Sequence, residues 1–291
     1  DIAVLQYTGG TTGTPKGAVL THANLYANTV QCGMWFPDAQ AGQERILGVL
    51  PFFHVFAMTT VMNFGIHKGA EIILHPRFDM KPVMEDIHNK KPTIMPGVPT
   101  MYNAISNYRH LKKYSLSSLT MCISGGAPLP LDTKRQFEEL TGCVLVEGYG
   151  LSESSPVVSA NPLKGENKKG SIGMPLPQTV LEVVDMEDGE TLLPTGETGE
   201  ICIRGPQVMH GYWQQINETN GCLRNGRLHT GDVGYMDEDG YFYIADRMKE
   251  MIICGGYNIY PRNVEEAIFL HPEVMEAAVI GVTHEFRGEV P

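Results

Sequence analysis

A glycine- and threonine-rich stretch near the start of the chain has the residue types that bind phosphate. Residues 7–17 read YTGGTTGTPKG and lie between two short apolar runs. Glycines let backbone N–H groups point toward one centre because they carry no Cβ, and the threonine hydroxyls lie beside them. Lys16 places a full positive charge at the rim of this concavity. The stretch therefore predicts a cradle for the phosphates of a nucleotide.

The spacing of this stretch differs from that of the Walker A phosphate loop. Walker A requires a glycine directly before its lysine, whereas Pro15 precedes Lys16 here. Proline has no N–H and resists continuing into a helix, so we do not expect the strand–loop–helix geometry of that fold. The alternative to a phosphate cradle is a plain Gly/Thr hairpin tip.

Two later stretches carry groups suited to the rest of a nucleotide. Residues 124–128 read SGGAP and follow an apolar run, where a parallel sheet binds ligands at the carboxyl ends of its strands. Residues 147–153 read EGYGLSE and offer an aromatic face for a base, a hydroxyl for phosphate and a carboxylate for Mg²⁺. The alternatives are a strand-to-helix turn for the first stretch and a core position for Tyr149.

At three other places in the sequence, a polar residue or segment has either a functional role or an ordinary structural one. Asp232, after Thr230 and Gly231, can accept from ribose hydroxyls or can form an Asx-turn. Residues 246–250 read DRMKE and are either functional or a solvated charge run. His54 lies in the apolar segment PFFHVF and is either a catalytic group or a satisfied core histidine.

Composition limits the classes of protein that fit. A chain of 291 residues with 42% hydrophobic residues predicts a soluble globular protein of about two domains. The net charge of −11 argues against nucleic acid as a partner. The six cysteines show no C-x-x-C spacing and the histidines no H-E-x-x-H motif, which favours a reducing, cytoplasmic location and argues against zinc. No apolar run reaches the length of a membrane span.

The elements that must position these groups alternate between strand and helix patterns. Strands separated by helices of this length predict βαβ crossovers and a mainly parallel sheet covered on both faces. A helix-like stretch over 18–36, with Thr21 as its N-cap, precedes them. The predicted strands are Ile46–Leu50, Ala70–Leu74, Thr93–Met95, Leu119–Ser124 and Cys143–Glu147, and the predicted helices cover 55–67, 80–91, 99–109 and 130–141.

The pattern changes at about residue 160 to short strands broken by Asp-Gly and Thr-Gly turns, which predicts a small β-barrel-like unit. A helix near 261–271 and a strand at 274–282 begin an α+β unit. We expect a partial large domain over 1–248, with an α/β part (1–160) and a β-rich part (161–248), then an incomplete C-terminal domain over 249–291. The β-rich strands are predicted at 180–185, 199–204, 232–236 and 241–245.

Taken in order, these motifs resemble those of the adenylate-forming superfamily, which contains acyl-CoA synthetases, luciferases and peptide-synthetase adenylation domains. Within this superfamily, the motif sequences are most similar to those of bacterial long-chain fatty-acid–CoA ligases. The resemblance covers nearly the whole chain. The matching stretches are YTGGTTGTPKG (7–17), PFFHVFA (51–57), SGGAPL (124–129), EGYGLSES (147–154), GSIGMPLP (170–177), LHTGDVGYMDEDGYFYIADRMKEMI (228–252) and GGYNIYPRNVEE (255–266).

The resemblance implies a two-step ligase reaction. A fatty acid attacks the α-phosphate of ATP to give acyl-AMP and pyrophosphate, and the thiol of coenzyme A then displaces AMP to give acyl-CoA. ATP, Mg²⁺ and coenzyme A are the implied cofactor and substrates. The alternatives are an acyl-AMP or aryl-CoA ligase on the same scaffold, or a nucleotide-binding module without turnover. The sequence decides neither whether the protein forms a homodimer nor whether it associates peripherally with a membrane.

The resemblance also implies roles for individual residues. Thr8 and Glu153 hold the metal, Ser152 contacts phosphate where the family more often has threonine, and Gly126, Ala127 and Tyr149 frame the adenine. Asp232 and Arg247 hold the ribose, His54 gates the acyl and CoA channels, and Lys249 is the hinge of the C-terminal domain. The remaining implied nucleotide contacts are Thr8, Gly9, Gly10, Thr11, Thr12, Gly13, Lys16, Glu147, Gly148, Gly150 and Asn258, and Gly255 and Gly256 line the CoA channel.

The chain departs from the family pattern at both ends. The catalytic lysine of the family lies in a Gly-Lys motif beyond Pro291, and the family's N-terminal portion is missing as well. The sequence is therefore expected to be a fragment truncated at both ends, one that folds, binds nucleotide weakly and turns over poorly.

Overall fold

The computed structural model describes residues 1–8, 15–255, 257–269, 271, 274, 277–284 and 286–291. It divides into two compact units. The first comprises Asp1–Val180 and Arg204–Gly226, and the second comprises Leu181–Ile203 and Arg227–Pro291. The predicted domain boundary after Met248 stays a prediction.

The glycine- and threonine-rich stretch lies between two antiparallel strands of the first unit. Strand β1 (Ile2–Thr8) pairs with β2 (Lys16–Thr21), and Thr8 is opposite Lys16. Residues 9–14 lie outside the described part. A strand follows the loop, so the prediction that Walker A geometry is absent is confirmed, and the flanking strands form a hairpin. The two interpretations of the stretch, a hairpin and a phosphate cradle, therefore do not exclude each other.

Helix α1 (His22–Trp35) begins at Thr21, as predicted, and residues 18–21 belong to β2 rather than to the helix. The Thr21 hydroxyl accepts from the backbone N–H of Asn24, and the Asn24 side chain accepts from the N–H of Thr21. This reciprocal cap satisfies two of the donors left unpaired at a helix start.

The main sheet of the first unit has seven strands in the order β4-β3-β5-β6-β7-β8-β9. The pairs from β4 to β7 are parallel and those from β7 to β9 are antiparallel, so the predicted, mainly parallel sheet is confirmed. The strands are β3 (Arg45–Gly48), β4 (Glu71–Leu74), β5 (Ile94–Gly97), β6 (Met121–Ser124), β7 (Val144–Gly150), β8 (Val157–Ala160) and β9 (Met174–Pro175).

Helices cover both faces of this sheet. Neighbouring residues of one strand enter different apolar clusters, since Ile46 packs in one cluster and Leu47 in the other. No helix among the described residues is both long and apolar enough to cross a membrane. The helices are α2 (Val55–Ala57), a π-helical segment (Met58–Asn63), α3 (Phe64–Lys68), α4 (Met80–Lys90), α5 (Pro99–Ser106), a 3₁₀ turn (Leu111–Lys113) and α6 (Leu131–Thr141).

The later part of the chain is rich in antiparallel strands. Strand β13 pairs with both β11 and β14, and β10 lies beside β11. The predicted strands are confirmed, but β13 begins five residues before the predicted 232, at Arg227. The elements are β10 (Val180–Val184), β11 (Gly199–Arg204), α7 (Ile216–Cys222), β12 (Leu223–Arg224), β13 (Arg227–Met236) and β14 (Phe242–Arg247).

The final residues form a small sheet in the order β16-β15-β18-β17, with one helix. The strand predicted at 274–282 is wrong for residues 277–281, which are irregular; the strand begins at Val282. The Val279 N–H donates to a carboxylate oxygen of Glu265 (2.8 Å), and Ile280 is 72% exposed, so neither belongs to a buried ladder. The elements are β15 (Ile252–Cys254), β16 (Tyr257–Ile259), α8 (Pro261–Phe269), β17 (Val282–His284) and β18 (Gly288–Val290).

Gly173 makes the close approach that seats β9 against β8. Its φ is +83°, and a Cβ there would lie 2.0 Å from the carbonyl carbon of Ala160. Gly173→Ala should therefore lower the free energy of unfolding by about 3 kcal/mol or more, measured by urea denaturation. Gly170→Ala is the matched control, since its φ is +75° with no atom within 4 Å of the added Cβ. That control should cost about 1 kcal/mol, and equal losses in the two variants would contradict the packing argument.

Candidate active site

Lys16 is the first residue of β2 and lies among charged and aromatic groups of the first unit. Its ammonium forms an ion pair with the carboxylate of Glu218 in α7. The same nitrogen lies 5.4 Å from the ring centroid of Tyr212, within the range of a cation–π interaction. The Lys16 side chain is 16% exposed, so this charge is held against the protein and not extended into solvent.

Glu153 lies beside the same hairpin. It belongs to a single 3₁₀ turn, Ser152–Ser154, that packs against both β1 and β2. The Tyr212 hydroxyl donates to Glu153 Oε1 over 2.6 Å, and the Glu153 carbonyl accepts from the N–H of Met209 (2.8 Å). The structure thus brings Glu153 and Lys16 to one tyrosine, Glu153 at its hydroxyl and Lys16 over its ring.

Backbone pairing fixes the position of that tyrosine. The N–H of Val19 donates to the Gly211 carbonyl (2.8 Å), and the N–H of Trp213 donates to the Gly17 carbonyl (2.7 Å). The Tyr212 N–H donates to the Thr219 hydroxyl (2.8 Å). Residues 210–213 therefore pair with β2 through an antiparallel bridge between Ala18 and Tyr212, which fixes Tyr212 beside the hairpin.

Burial and neighbouring charges shift the pKa values of Tyr212 and Cys222. Burial, followed by the charge of Glu153, raises the pKa of Tyr212, so its hydroxyl stays protonated and can donate. Burial raises the pKa of the Cys222 thiol to about 11, with a further contribution from the Glu153 charge. Lys16 opposes this shift by favouring the thiolate. Cys222 is therefore a protonated thiol at neutral pH.

The two motifs assigned to adenine lie at one edge of the main sheet. Ser124 ends β6 and is in register with Glu147 of the parallel strand β7. Gly126 and Ala127 lie two and three residues after the end of β6 and are exposed. Gly148, Tyr149 and Gly150 are in the last part of β7. Tyr149 is half-buried, so it is not a plain core residue. The structure thus brings these residues to neighbouring strand ends.

Glu147 differs from its neighbours in this motif because its side chain is buried. Its Oε1 accepts from the N–H of Leu129 (3.2 Å), and its carbonyl accepts from the N–H of Asn161 (2.9 Å). These bonds hold the loop after β6 against β7. A contact between Glu147 and a nucleotide stays a prediction.

His54 is exposed, so its interpretation as a satisfied core histidine is wrong. Its Nδ1 accepts from the N–H of Phe56 (3.2 Å) and caps the short helix α2. The neighbouring Phe53 carbonyl accepts from the Gln6 side chain (3.0 Å), which ties this turn to β1. Its gating role stays a prediction.

In the second unit, the two residues assigned to ribose lie opposite each other on paired strands. Asp232 of β13 is in register with Arg247 of β14, and Arg247 Nε lies 3.3 Å from Asp232 Oδ1. Asp232 is buried, whereas the Arg247 side chain is largely exposed. An arginine beside an anchored carboxylate can present hydrogen-bonding groups to a diol.

A buried cluster braces the irregular part of β13 that precedes Asp232. Glu200 Oε1 accepts from the N–H of Gly231 (3.0 Å), and Glu200 Oε2 lies 2.7 Å from His229 Nδ1. Cys202 Sγ lies 3.4 Å from the same His229 nitrogen. Sequence reasoning did not find this cluster, because Glu200 and His229 lie on different strands.

The remaining residues assigned to the second unit are in turns or at a sheet edge. Lys249 is exposed in the turn after β14, and Gly255 has a φ of +59° in the turn before β16. Asn258 is exposed in β16. Gly256, like Gly9, Gly10, Thr11, Thr12 and Gly13, lies outside the described residues.

Three residues of the first unit were missed by sequence reasoning, namely Tyr212, Glu218 and Cys222. All three lie more than 190 positions from Lys16. The tripeptide Gly-Tyr-Trp at 211–213 is the one local signal, an aromatic pair after a glycine in an otherwise polar segment. It gives no indication of the hairpin with which it pairs.

Comparison with known protein families identifies the family of this chain. The family described as AMP-binding enzyme matches residues 1–213, and the AMP-binding enzyme C-terminal domain matches residues 263–291. The chain belongs to the AMP-binding enzyme family, that is, to the adenylate-forming enzymes. The resemblance inferred from the motifs is therefore confirmed.

Individual relatives agree with this assignment. The long-chain-fatty-acid–CoA ligase of Bacillus subtilis (strain 168) is 54% identical over 289 residues, 99% of this chain and 51% of the relative. ATP-bound MatB from Rhodopseudomonas palustris has a TM-score of 0.92 at 34% identity, covering 99% of this chain and 56% of that one. The o-succinylbenzoate coenzyme A synthetase (MenE) of Bacillus subtilis, in complex with ATP and magnesium ion, has a TM-score of 0.87 at 32% identity. The match covers 97% of this chain and 58% of that one. The chain spans about half the length of the curated relative.

The Cys222 thiol can report whether Glu153 is charged and close. In a Cys254→Ser background the other four cysteines are buried, so iodoacetamide should label Cys222, with a reaction midpoint near pH 11. Glu153→Gln removes a negative charge that disfavours the thiolate, so the midpoint should move to lower pH. The control is Glu187→Gln, an exposed acid in the second unit, which should leave the midpoint in place. An unchanged midpoint in Glu153→Gln would contradict this geometry.

Proposed function

We propose that this chain forms most of the nucleotide site of an ATP-dependent acid–thiol ligase that converts a fatty acid to acyl-AMP and then to acyl-CoA. The observation that carries the proposal is the placement of Lys16 over the ring of Tyr212 and of Glu153 at its hydroxyl, beside the hairpin of β1 and β2. A cation and a carboxylate at one phosphate-binding loop are the pair that a metal-bound triphosphate needs.

The donor set next to the hairpin fits Mg²⁺. Glu153 supplies a half-buried carboxylate whose Oε1 is fixed by Tyr212, and Thr8 supplies a hydroxyl at the end of β1. Mg²⁺ prefers such hard oxygen ligands and uses only one or two carboxylates together with substrate phosphates. When bound, Mg²⁺ would neutralise charge on the phosphate oxygens and stabilise the leaving pyrophosphate.

The protein groups of the first unit then have distinct tasks. Lys16 exchanges its partner Glu218 for the β- and γ-phosphates. Residues 8–13 are assigned as further contacts of these phosphates because of their glycine- and threonine-rich sequence. Ser152, in the same turn as Glu153, offers a hydroxyl to phosphate. Gly126 and Ala127 leave space for the adenine beside Tyr149.

The second unit supplies the ribose contacts and the acceptor step. Asp232, held by Arg247, accepts from the ribose hydroxyls. By family resemblance, Lys249 is assigned as the hinge between the two half-reactions, Asn258 as a nucleotide contact, and Gly255 and Gly256 as residues of the coenzyme A channel. His54, exposed at the start of α2, gates the acyl and coenzyme A channels.

A fatty acid is the proposed substrate because of the 54% identity to a long-chain-fatty-acid–CoA ligase. An aromatic acid is the second candidate, since an o-succinylbenzoate coenzyme A synthetase shares the fold at 32% identity. The two candidates share the nucleotide motifs and differ only in the acyl pocket.

Pyrophosphate release by the purified chain, measured with ATP, Mg²⁺ and a panel of carboxylates with and without coenzyme A, tests the proposal. We expect weak release that long-chain fatty acids raise about tenfold over aromatic acids, a difference of about 1.4 kcal/mol in barrier height. Thioester should form only when coenzyme A is present.

Each other result selects a different function. Stimulation by aromatic acids alone indicates an aryl-CoA ligase, and acyl-AMP without thioester indicates an acyl-AMP ligase. ATP binding with no pyrophosphate release from any acid indicates a binding module. Failure to bind ATP with Mg²⁺ would contradict the proposal as a whole.

A further inference from the structure

We propose that Tyr212 is a positioning residue that holds the Glu153 carboxylate for a divalent cation and the Lys16 ammonium for phosphate. This inference rests on the proposed function, since it concerns how the metal–triphosphate site is kept in place. Tyr212 lies outside the glycine-rich, SGGAP and EGYGLSE stretches, and it contacts both the acidic Glu153 and the basic Lys16.

The hydroxyl of Tyr212 fixes the orientation of Glu153. It donates to Glu153 Oε1 over 2.6 Å, a short charge-assisted hydrogen bond. Within the described part of the chain, Oε2 of Glu153 takes part in no hydrogen bond, so this oxygen remains available to a cation. A carboxylate held through one oxygen can present its other oxygen to the metal, because its side chain is already in the binding orientation.

The ring of Tyr212 fixes the position of Lys16. The ammonium lies 5.4 Å from the ring centroid and is ion-paired with Glu218, whose side chain is half exposed. When phosphate replaces Glu218, the interaction with the ring persists because it needs only the ring face. The lysine therefore keeps its place while its anionic partner changes.

The backbone of Tyr212 makes it a rigid support. Its N–H is bound by Thr219, and the residues on both sides of it pair with β2. Gly211 has a φ of +138°, and a Cβ there would lie 2.6 Å from the Thr219 side chain. The segment thus allows close packing between residues 210–213 and α7, and these contacts hold the backbone of Tyr212 against the hairpin.

A purely structural role for Tyr212 predicts a loss of stability and nothing else. A positioning role predicts a loss of metal affinity, because outer-sphere hydrogen bonds to a ligand commonly contribute about 10- to 100-fold to metal binding. The two roles therefore differ in a quantity that can be measured without turnover.

The experiment titrates Mn²⁺, a paramagnetic substitute for Mg²⁺, into the 291-residue chain with ATP and follows free Mn²⁺ by electron paramagnetic resonance. Tyr212→Phe should weaken Mn²⁺ binding by about tenfold or more and leave metal-free ATP affinity unchanged. Tyr212→Leu should in addition weaken metal-free ATP binding by about two- to fivefold, since Lys16 loses the ring.

The matched control is Tyr102→Phe, far from the site in sequence and in a different environment. The Tyr102 hydroxyl is buried and donates to the carbonyls of Met95 (2.7 Å) and Ile123 (2.9 Å). Removal of this hydroxyl should lower the urea concentration at the unfolding midpoint. It should change neither the affinity for Mn²⁺ nor the metal-free affinity for ATP. Tyr212→Phe should differ from this control in Mn²⁺ affinity at a similar loss of stability.

Glu153→Gln separates the inference from the proposed function. If Glu153→Gln weakens Mn²⁺ binding and Tyr212→Phe does not, the positioning role is overturned and the metal role of Glu153 stands. If Glu153→Gln leaves Mn²⁺ affinity unchanged, Glu153 does not hold the metal and both assignments are overturned.

Discussion

The backbone pairing between β2 and residues 210–213 is the interaction on which the candidate site depends. It joins two segments about 190 positions apart through hydrogen bonds from the N–H groups of Val19 and Trp213. Without this pairing, Lys16 and Glu153 would lie beside the same hairpin but would share no common support. Because backbone bonds fix register, a shift of one residue would turn the phenol of Tyr212 to the opposite face. The site is therefore as well defined as the hairpin that carries it.

Charge balance is the second constraint on this region. The chain has a net charge of −11, so a triphosphate can be attracted only by local positive charge. Lys16 provides that charge but is ion-paired with Glu218, and Glu153 adds a negative group at the hydroxyl of Tyr212. Such an arrangement suits a ligand that brings its own cation, since the metal satisfies Glu153 while the phosphates take over Lys16.

The sequence predicted the main sheet well because buried parallel strands and amphipathic helices leave local patterns. Strand β6 and helix α6 were found within a few residues of their observed ends. The strand predicted at 274–282 was wrong because a side chain of α8, Glu265, takes the Val279 N–H that the apolar pattern assigned to a ladder. Tyr212 and the Glu200–His229 pair could not be predicted, since each depends on contacts between distant segments. Motif resemblance supplied the candidate site residues, whose roles stay predictions, but not the neighbouring groups that contact them.

The most direct test of the central claim is the location of the cation. Crystals of the chain grown with Mn²⁺ and a non-hydrolysable ATP analogue would show the metal by anomalous scattering. The account predicts a peak about 2 Å from a carboxylate oxygen of Glu153, with the phosphates against Lys16. Among the described residues, a separate buried group (Glu200, Cys202 and His229) has ligand atoms within 4.8 Å of one another. A peak there, or anywhere away from Glu153 while the analogue is bound, would contradict the account.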